Sequence, residues 1–175
     1  TQKLSAQIYN KGYDIYTLNT KKYFWQKKTA EQSAKDFTDF LESVLKNRKN
    51  KQLIIIGYSF GADALPFIVN KMPENIKKQI TKNILIDPSS TGSWEINLEN
   101  YINEDTEGEE LTIPEVNKMT LPINIILSDF GYENYPYKEV KINKNIYHLP
   151  GNHRFKGDYE KIAQTIQEII KKQDH

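Results

Sequence analysis

Short apolar runs alternate with longer amphipathic stretches along the chain, a pattern that predicts βαβ units and a mostly parallel sheet. Residues 2–11 read as a helix closed by Gly12, whose tolerance of positive φ suits the position after a helix end. Residues 13–18 (YDIYTL) read as a strand. Thr29-Ala30-Glu31-Gln32 fits a capping box, and Ala34, Phe37, Phe40, Leu41, Val44 and Leu45 then recur on one helical face. That helix is expected to end near the lysine-rich residues 46–51, where cations suit the negative end of the helix dipole. Residues 53–56 (LIII) are apolar without a break, as a central parallel strand covered on both faces would be. A sharp Gly-x-Ser-x-Gly turn follows, then an apolar helix to about Met72. Residues 83–86 (NILI), 123–127 (INIIL) and 144–148 (KNIYH) predict the later strands. Residues 158–171 predict a closing helix, with Tyr159, Ile162, Ala163, Ile166 and Ile169 at helical spacing. Residues 89–112 fit neither period and read as a cap-like excursion. The whole pattern describes one α/β domain over residues 1–175, a parallel sheet with helices on both faces.

Composition narrows the chemistry. The 24 Lys and Arg nearly cancel the 23 Asp and Glu, so the chain lacks the positive surplus of a nucleic-acid binder. No apolar run approaches the roughly 18 residues needed to cross a bilayer. Cysteine is absent, which excludes disulfides, thiolate metal sites and a cysteine nucleophile. The His, Asp and Glu residues show no plausible metal-ligand spacing, and no metal or organic cofactor is expected.

The chemistry-bearing motif is Gly57-Tyr58-Ser59-Phe60-Gly61. By chance, G-x-S-x-G occurs in about one chain of this size in twenty. Its setting raises its weight: an apolar strand runs straight in and a helix straight out, as a nucleophile elbow requires. The glycines suit a turn where neighbouring backbone approaches closely and the serine is strained. Ser59 is the expected nucleophile, and the Phe60 amide at the helix start is the expected oxyanion donor. A glycine-rich turn with no reaction is the plain alternative. A serine hydroxyl needs a general base. His175 is the terminal residue, and His148 ends a strand, where packing or surface exposure is the default. His153 lies between the last strand and the last helix, where the base belongs in the order Ser, acid, His. Asp129 follows the 123–127 strand directly and Glu133 lies further round the same loop, and both could orient the imidazole. Asp87 also ends a strand, but Asp87-Pro88 reads by preference as a turn initiator. The residues leave the acid open.

The run from Ile56 to Phe67 (IGYSFGADALPF), with Asn70-Lys71-Met72-Pro73 behind it, resembles the VirJ/AcvB family of bacterial virulence-associated α/β-hydrolases. Tyr23-Phe24-Trp25 with Thr29-Ala30-Glu31-Gln32, the run Ser93-Trp94-Glu95-Ile96-Asn97-Leu98, and residues 149–159 (LPGNHRFKGDY) are similar to other segments of that family. The likeness spans essentially the whole chain. It implies an exported, periplasmic serine hydrolase with Ser59 as nucleophile, His153 as base and an acid around Glu133. AcvB-type members hydrolyse lysyl-phosphatidylglycerol, so the resemblance implies a lipid ester met at a membrane surface, and secretion-system proteins as partners. It also implies a strand and an oxyanion loop ahead of residue 1, so residues 1–175 are expected to lack one central strand of the fold.

One segment bears on the substrate. Glu95, Glu99, Glu104, Asp105, Glu107, Glu109 and Glu110 fall within residues 95–110 with no Lys or Arg between them. As a cap they could draw in a cationic head group by long-range field; otherwise they form a solvated acidic loop. Glu95, Glu99 and Tyr58, beside the nucleophile, are therefore candidate substrate contacts. The rival to an esterase is a secretion-associated binding module that keeps the elbow without catalysis, since fold does not fix function.

Overall fold

The computed structural model describes residues 2–49, 52–95 and 110–172. Among them, four strands form one parallel sheet: β1 (Leu53–Tyr58), β2 (Ile80–Ile86), β5 (Ile123–Leu127) and β6 (Lys144–His148), in the order β1-β2-β5-β6. A two-residue antiparallel ladder, β3 (Thr91–Gly92) with β4 (Glu110–Leu111), forms the foot of the 89–112 excursion. The helices are α1 (Gln2–Tyr9), α2 (Thr20–Tyr23), α3 (Ala30–Leu45), α4 (Phe60–Lys71), α5 (Glu74–Lys77), α6 (Thr112–Val116), α7 (Asp129–Asn134) and α8 (Tyr159–Lys171).

Side-chain alternation along the strands explains the layers. On β2, Leu85 joins the core under α3, α4 and α6, while Ile84 and Ile86 face the core under α1 and α8. On β5, Ile125 and Leu127 take the first side and Ile126 the second. Strands covered on both faces must be apolar on both, which is why INIIL is buried along its whole length. Helices therefore lie on both faces of a parallel sheet, as the sequence pattern implies. In α3 the capping box forms as read: Thr29 Oγ1 accepts from Gln32 N at 3.2 Å, and Gln32 Oε1 accepts from Thr29 N at 3.0 Å. Gly12 has φ +91° just past α1.

Three expectations are corrected. Residues 13–18 belong to no strand: Tyr13 and Ile15 turn inward and Asp14 and Tyr16 outward, yet no described strand lies alongside to complete a ladder. The elbow strand β1 is half-buried rather than covered throughout, because among the described residues it pairs on one edge only, with β2. Phe40 is 47% exposed, although it falls within the apolar stripe of α3. The buried face of that helix runs through Ala30, Ala34 and Leu45, with Phe37 and Leu41 beside it, and Phe40 packs edge-on against Tyr16.

Candidate active site

The carboxyl ends of β1, β2 and β5, and the loop after β6, converge on one point. Ser59 N donates to Ile86 O (2.9 Å), Asp87 N to Ile126 O (2.8 Å) and Leu149 N to Leu127 O (2.9 Å), so each loop is tied to the end of a neighbouring strand. Ser59 turns the chain from β1 into α4 at φ 53° and ψ −127°, a conformation that non-glycine residues seldom adopt. The turn closes tightly on Gly57, where a Cβ would stand 2.5 Å from the Gly61 carbonyl oxygen. Gly61 differs from the expectation: a Cβ there would meet only Thr20 Cγ2, at 4.0 Å. Close approach thus explains the first glycine of the motif and not the second.

Ser59 Oγ lies 2.7 Å from His153 Nε2, and His153 Nδ1 lies 2.8 Å from Asp87 Oδ2. A carboxylate only accepts, so Nδ1 carries the imidazole proton and the Nε2 lone pair faces the serine hydroxyl. Asp87 is 2% exposed and is held on both oxygens: Ser128 N donates to Oδ1 (2.8 Å) and Ser128 Oγ to Oδ2 (2.7 Å). Gly131, in α7, abuts the same carboxylate, and any Cβ on it would collide with Asp87 Oδ1. The Phe60 amide is the first N–H of α4, directly after Ser59, a position with no acceptor one turn back within the helix.

Asp87, then, meets His153, and the two preferred acids do not. Asp129 is spent elsewhere, its Oδ1 on His148 Nε2 (2.8 Å) and its Oδ2 on Gly151 N (2.8 Å). The Gly151 N–H above all, and then His148, hold its carboxyl below the usual range. Glu133 is exposed on α7. His148 stacks on Tyr132, with ring centroids 4.4 Å apart. The sequence signal for Asp87 is its place at a strand end. Its weight depends on sheet order, since β2 is the immediate neighbour of the elbow strand and β5 is one further out. Ser128, unforeseen from sequence, supplies the donors that fix the acid.

The candidate substrate contacts separate. The Tyr58 hydroxyl donates to His153 O at 2.8 Å, so it braces the histidine loop from beneath. Burial, foremost, pushes its phenol up to about 12, which keeps it a neutral donor. Glu95 is half-buried just past β3, with its backbone amide and carbonyl engaged by the Ser93 hydroxyl. Glu99 and most of the acidic segment lie outside the described residues, as does His175. Glu110 accepts from Trp94 Nε1 at 3.0 Å. A cavity of about 220 Å³ lined by Asn70, Lys77, Asn83 and Lys118 sits at the amino ends of β2 and β5, away from Ser59. Among the described residues, no three His, Asp or Glu side chains converge as a metal site requires, and no helix is long and apolar enough to cross a membrane.

Several solved structures share this architecture. An extracellular α/β-hydrolase from a Paenibacillus species superposes with a TM-score of 0.60 at 11% identity, covering 95% of this chain and 91% of its own. An α/β-hydrolase enzyme from the sediment metagenome of the Mar Chica lagoon gives 0.52 at 13% identity, covering 80% and 70%. The acylaminoacyl peptidase of Pyrococcus horikoshii gives 0.56 at 14% identity, covering 84% of this chain and 29% of the peptidase. The fold is that of the α/β-hydrolases. Among curated proteins none matches the chain. The sequence profile of one family, described as bacterial virulence protein (VirJ), matches residues 1–174.

Proposed function

Because the chain belongs to the VirJ family of bacterial virulence proteins, we propose that it is a serine hydrolase that cleaves an ester through an acyl-enzyme. The observation that carries this reading is the line Ser59 Oγ, His153, Asp87, with separations of 2.7 and 2.8 Å, on a strained elbow at a helix start. Ser59 Oγ attacks the ester carbonyl carbon while His153 Nε2 takes the hydroxyl proton. Asp87 keeps the imidazole in the required tautomer and stabilises the imidazolium that forms. The Phe60 N–H donates to the oxyanion. His153 then gives its proton to the departing alcohol oxygen, leaving acyl-Ser59. A water molecule, deprotonated by His153, attacks the acyl carbon; the bond from that carbon to Ser59 Oγ breaks, His153 returns the proton to Oγ, and the acid leaves.

The resemblance to AcvB-type members, together with the acidic residues 95–110, supports an aminoacyl lipid such as lysyl-phosphatidylglycerol as the ester, met at the membrane surface of an exported compartment. The triad itself favours catalysis over a binding module. A fluorophosphonate probe is expected to label the protein and to fail on Ser59→Ala. An unlabelled parent protein would sink the esterase reading. Release of lysine from lysyl-phosphatidylglycerol vesicles, measured against a simple acyl ester, tests the substrate class.

A further inference from the structure

A second carboxylate sits behind the triad and has no part in the steps above. Asp63, in the first turn of α4, is 7% exposed. Its amide donates to the carbonyl of Ser59 (3.1 Å), and its Oδ1 accepts from the amide of Ser89 (2.6 Å). Ser89 stands two residues after Asp87, on the turn that leaves β2. That turn is itself strained: Asp87 has φ 48°, a conformation that costs a non-glycine residue on the order of 1–3 kcal/mol and persists only where its surroundings impose it. The surroundings are identifiable. Ser128 grips the Asp87 carboxylate, and Thr112 grips the far side of the turn through Oγ1 to Ser89 O (2.7 Å) and N to Ser90 O (2.9 Å). Asp63 adds a further hold: beside the bond from Ser59 N to Ile86 O at the end of β2, it ties the far part of the turn to the helix that Ser59 opens.

We propose that Asp63 is a positioning residue that pins the acid-bearing turn to the nucleophile helix, so that Ser59 and Asp87 keep their spacing across His153. The role rests on the esterase reading above. The type of residue follows from the task. The bond runs from a side chain buried at the site floor to a backbone N–H, so the acceptor must be short, and a carboxylate makes the strongest such acceptor. Burial, above all, opposes its charge, and the Ser89 amide only partly offsets this, leaving its carboxyl raised to about 7. His153 and Asp87 face it from the loops, with opposite effects on its charge, and Tyr135, after α7, lies close enough for the carboxylate to raise its phenol. A group so costly to bury is retained where a fixed geometry depends on it.

The test compares Asp63→Ala with Asp63→Asn, whose amide oxygen can still accept from Ser89 N. Two measurements are made: the fluorophosphonate labelling rate, and the low-field proton NMR signal of the His153 Nδ1–H held by Asp87. The expected result is at least a tenfold loss of labelling rate and a lost or broadened low-field signal in Asp63→Ala, with Asp63→Asn within about threefold of the parent. If the alanine variant fails to fold by circular dichroism, Asp63→Ser, whose hydroxyl is too short to reach Ser89 N, takes its place. Parent-like labelling and an intact signal in the truncated variant would overturn the proposal. So would an asparagine variant as slow as alanine, since charge rather than the bond would then be what matters. A parent protein that shows the low-field signal but never labels would fail the esterase reading alone, and the signal would still decide whether Asp63 holds the turn.

Discussion

Asp87 and Ser59 both occupy positive φ, and each has beside it a glycine with no room for a Cβ: Gly131 against the Asp87 carboxylate, and Gly57 against the backbone of Gly61 and Ala62. The acid is thus built as tightly as the nucleophile. Replacing Asp87 by Asn keeps the shape but lets the side chain donate to Nδ1, which stabilises the wrong imidazole tautomer; a loss of roughly 10³–10⁴-fold in turnover is expected. Glu133→Gln should stay within twofold, because that side chain is exposed on α7. Ester hydrolysis by the two purified variants checks the pair, and equal losses would contradict the assignment. Gly131→Ala should be nearly as harmful as Asp87→Asn, since the new methyl would displace Asp87 Oδ1 from Ser128 N. The low-field His153 proton would report that displacement directly. Ser59 and His153 were legible because each sits in a local run whose neighbours name its role. Asp87 was not, because choosing among Asp87, Asp129 and Glu133 requires knowing which strand lies beside the elbow strand, and side-by-side order is a long-range property of the sheet.

At the scale of elements, apolar runs and the cap are legible in the sequence, whereas the 13–18 segment, which forms no strand, and the helical stripe of α3 are less so. The strands at 123–127 and 144–148 fall where the apolar runs place them, and the Thr29 box forms as written. Phe40 shows the limit of periodicity: it shares a helical face with Phe37 and Leu41, yet the seam with α4 runs along Ala30 and Ala34, and the wider phenyl ring is left to Tyr16. Small residues at the seam let α3 approach α4 closely, and α4 carries the elbow at its start. Removing the cap should therefore cost stability without touching the chemistry. Thr29→Ala is expected to lower unfolding free energy by about 1 kcal/mol in urea titrations, with the labelling rate of the folded protein unchanged. A much larger loss, or a slower reaction, would mean that the start of α3 also shapes the site.

For the whole molecule, the near balance of 24 basic and 23 acidic residues conceals an uneven interior, since two carboxylates, Asp63 and Asp87, are buried within the same end of the sheet. Neither composition nor period announces this, because an Asp in the first turn of a helix is ordinarily a solvated partner of the dipole. Burial changes its meaning. With its folded-state value raised from 3.8 to about 7, Asp63 binds its proton more tightly in the folded chain than in the unfolded one. Its contribution to stability is therefore fully present below about pH 4 and is lost as pH rises through about 7. Asp63→Asn does not titrate and serves as the reference. The difference in unfolding free energy, parent minus variant, should fall with rising pH across that window, by up to about 4 kcal/mol at the usual 1.36 kcal/mol per unit. Urea unfolding of both proteins at pH 4.5, 6 and 8 measures it. A difference that stays flat would show that the carboxylate remains ionised throughout, with its charge met by the Ser89 amide and the His153 side of the site.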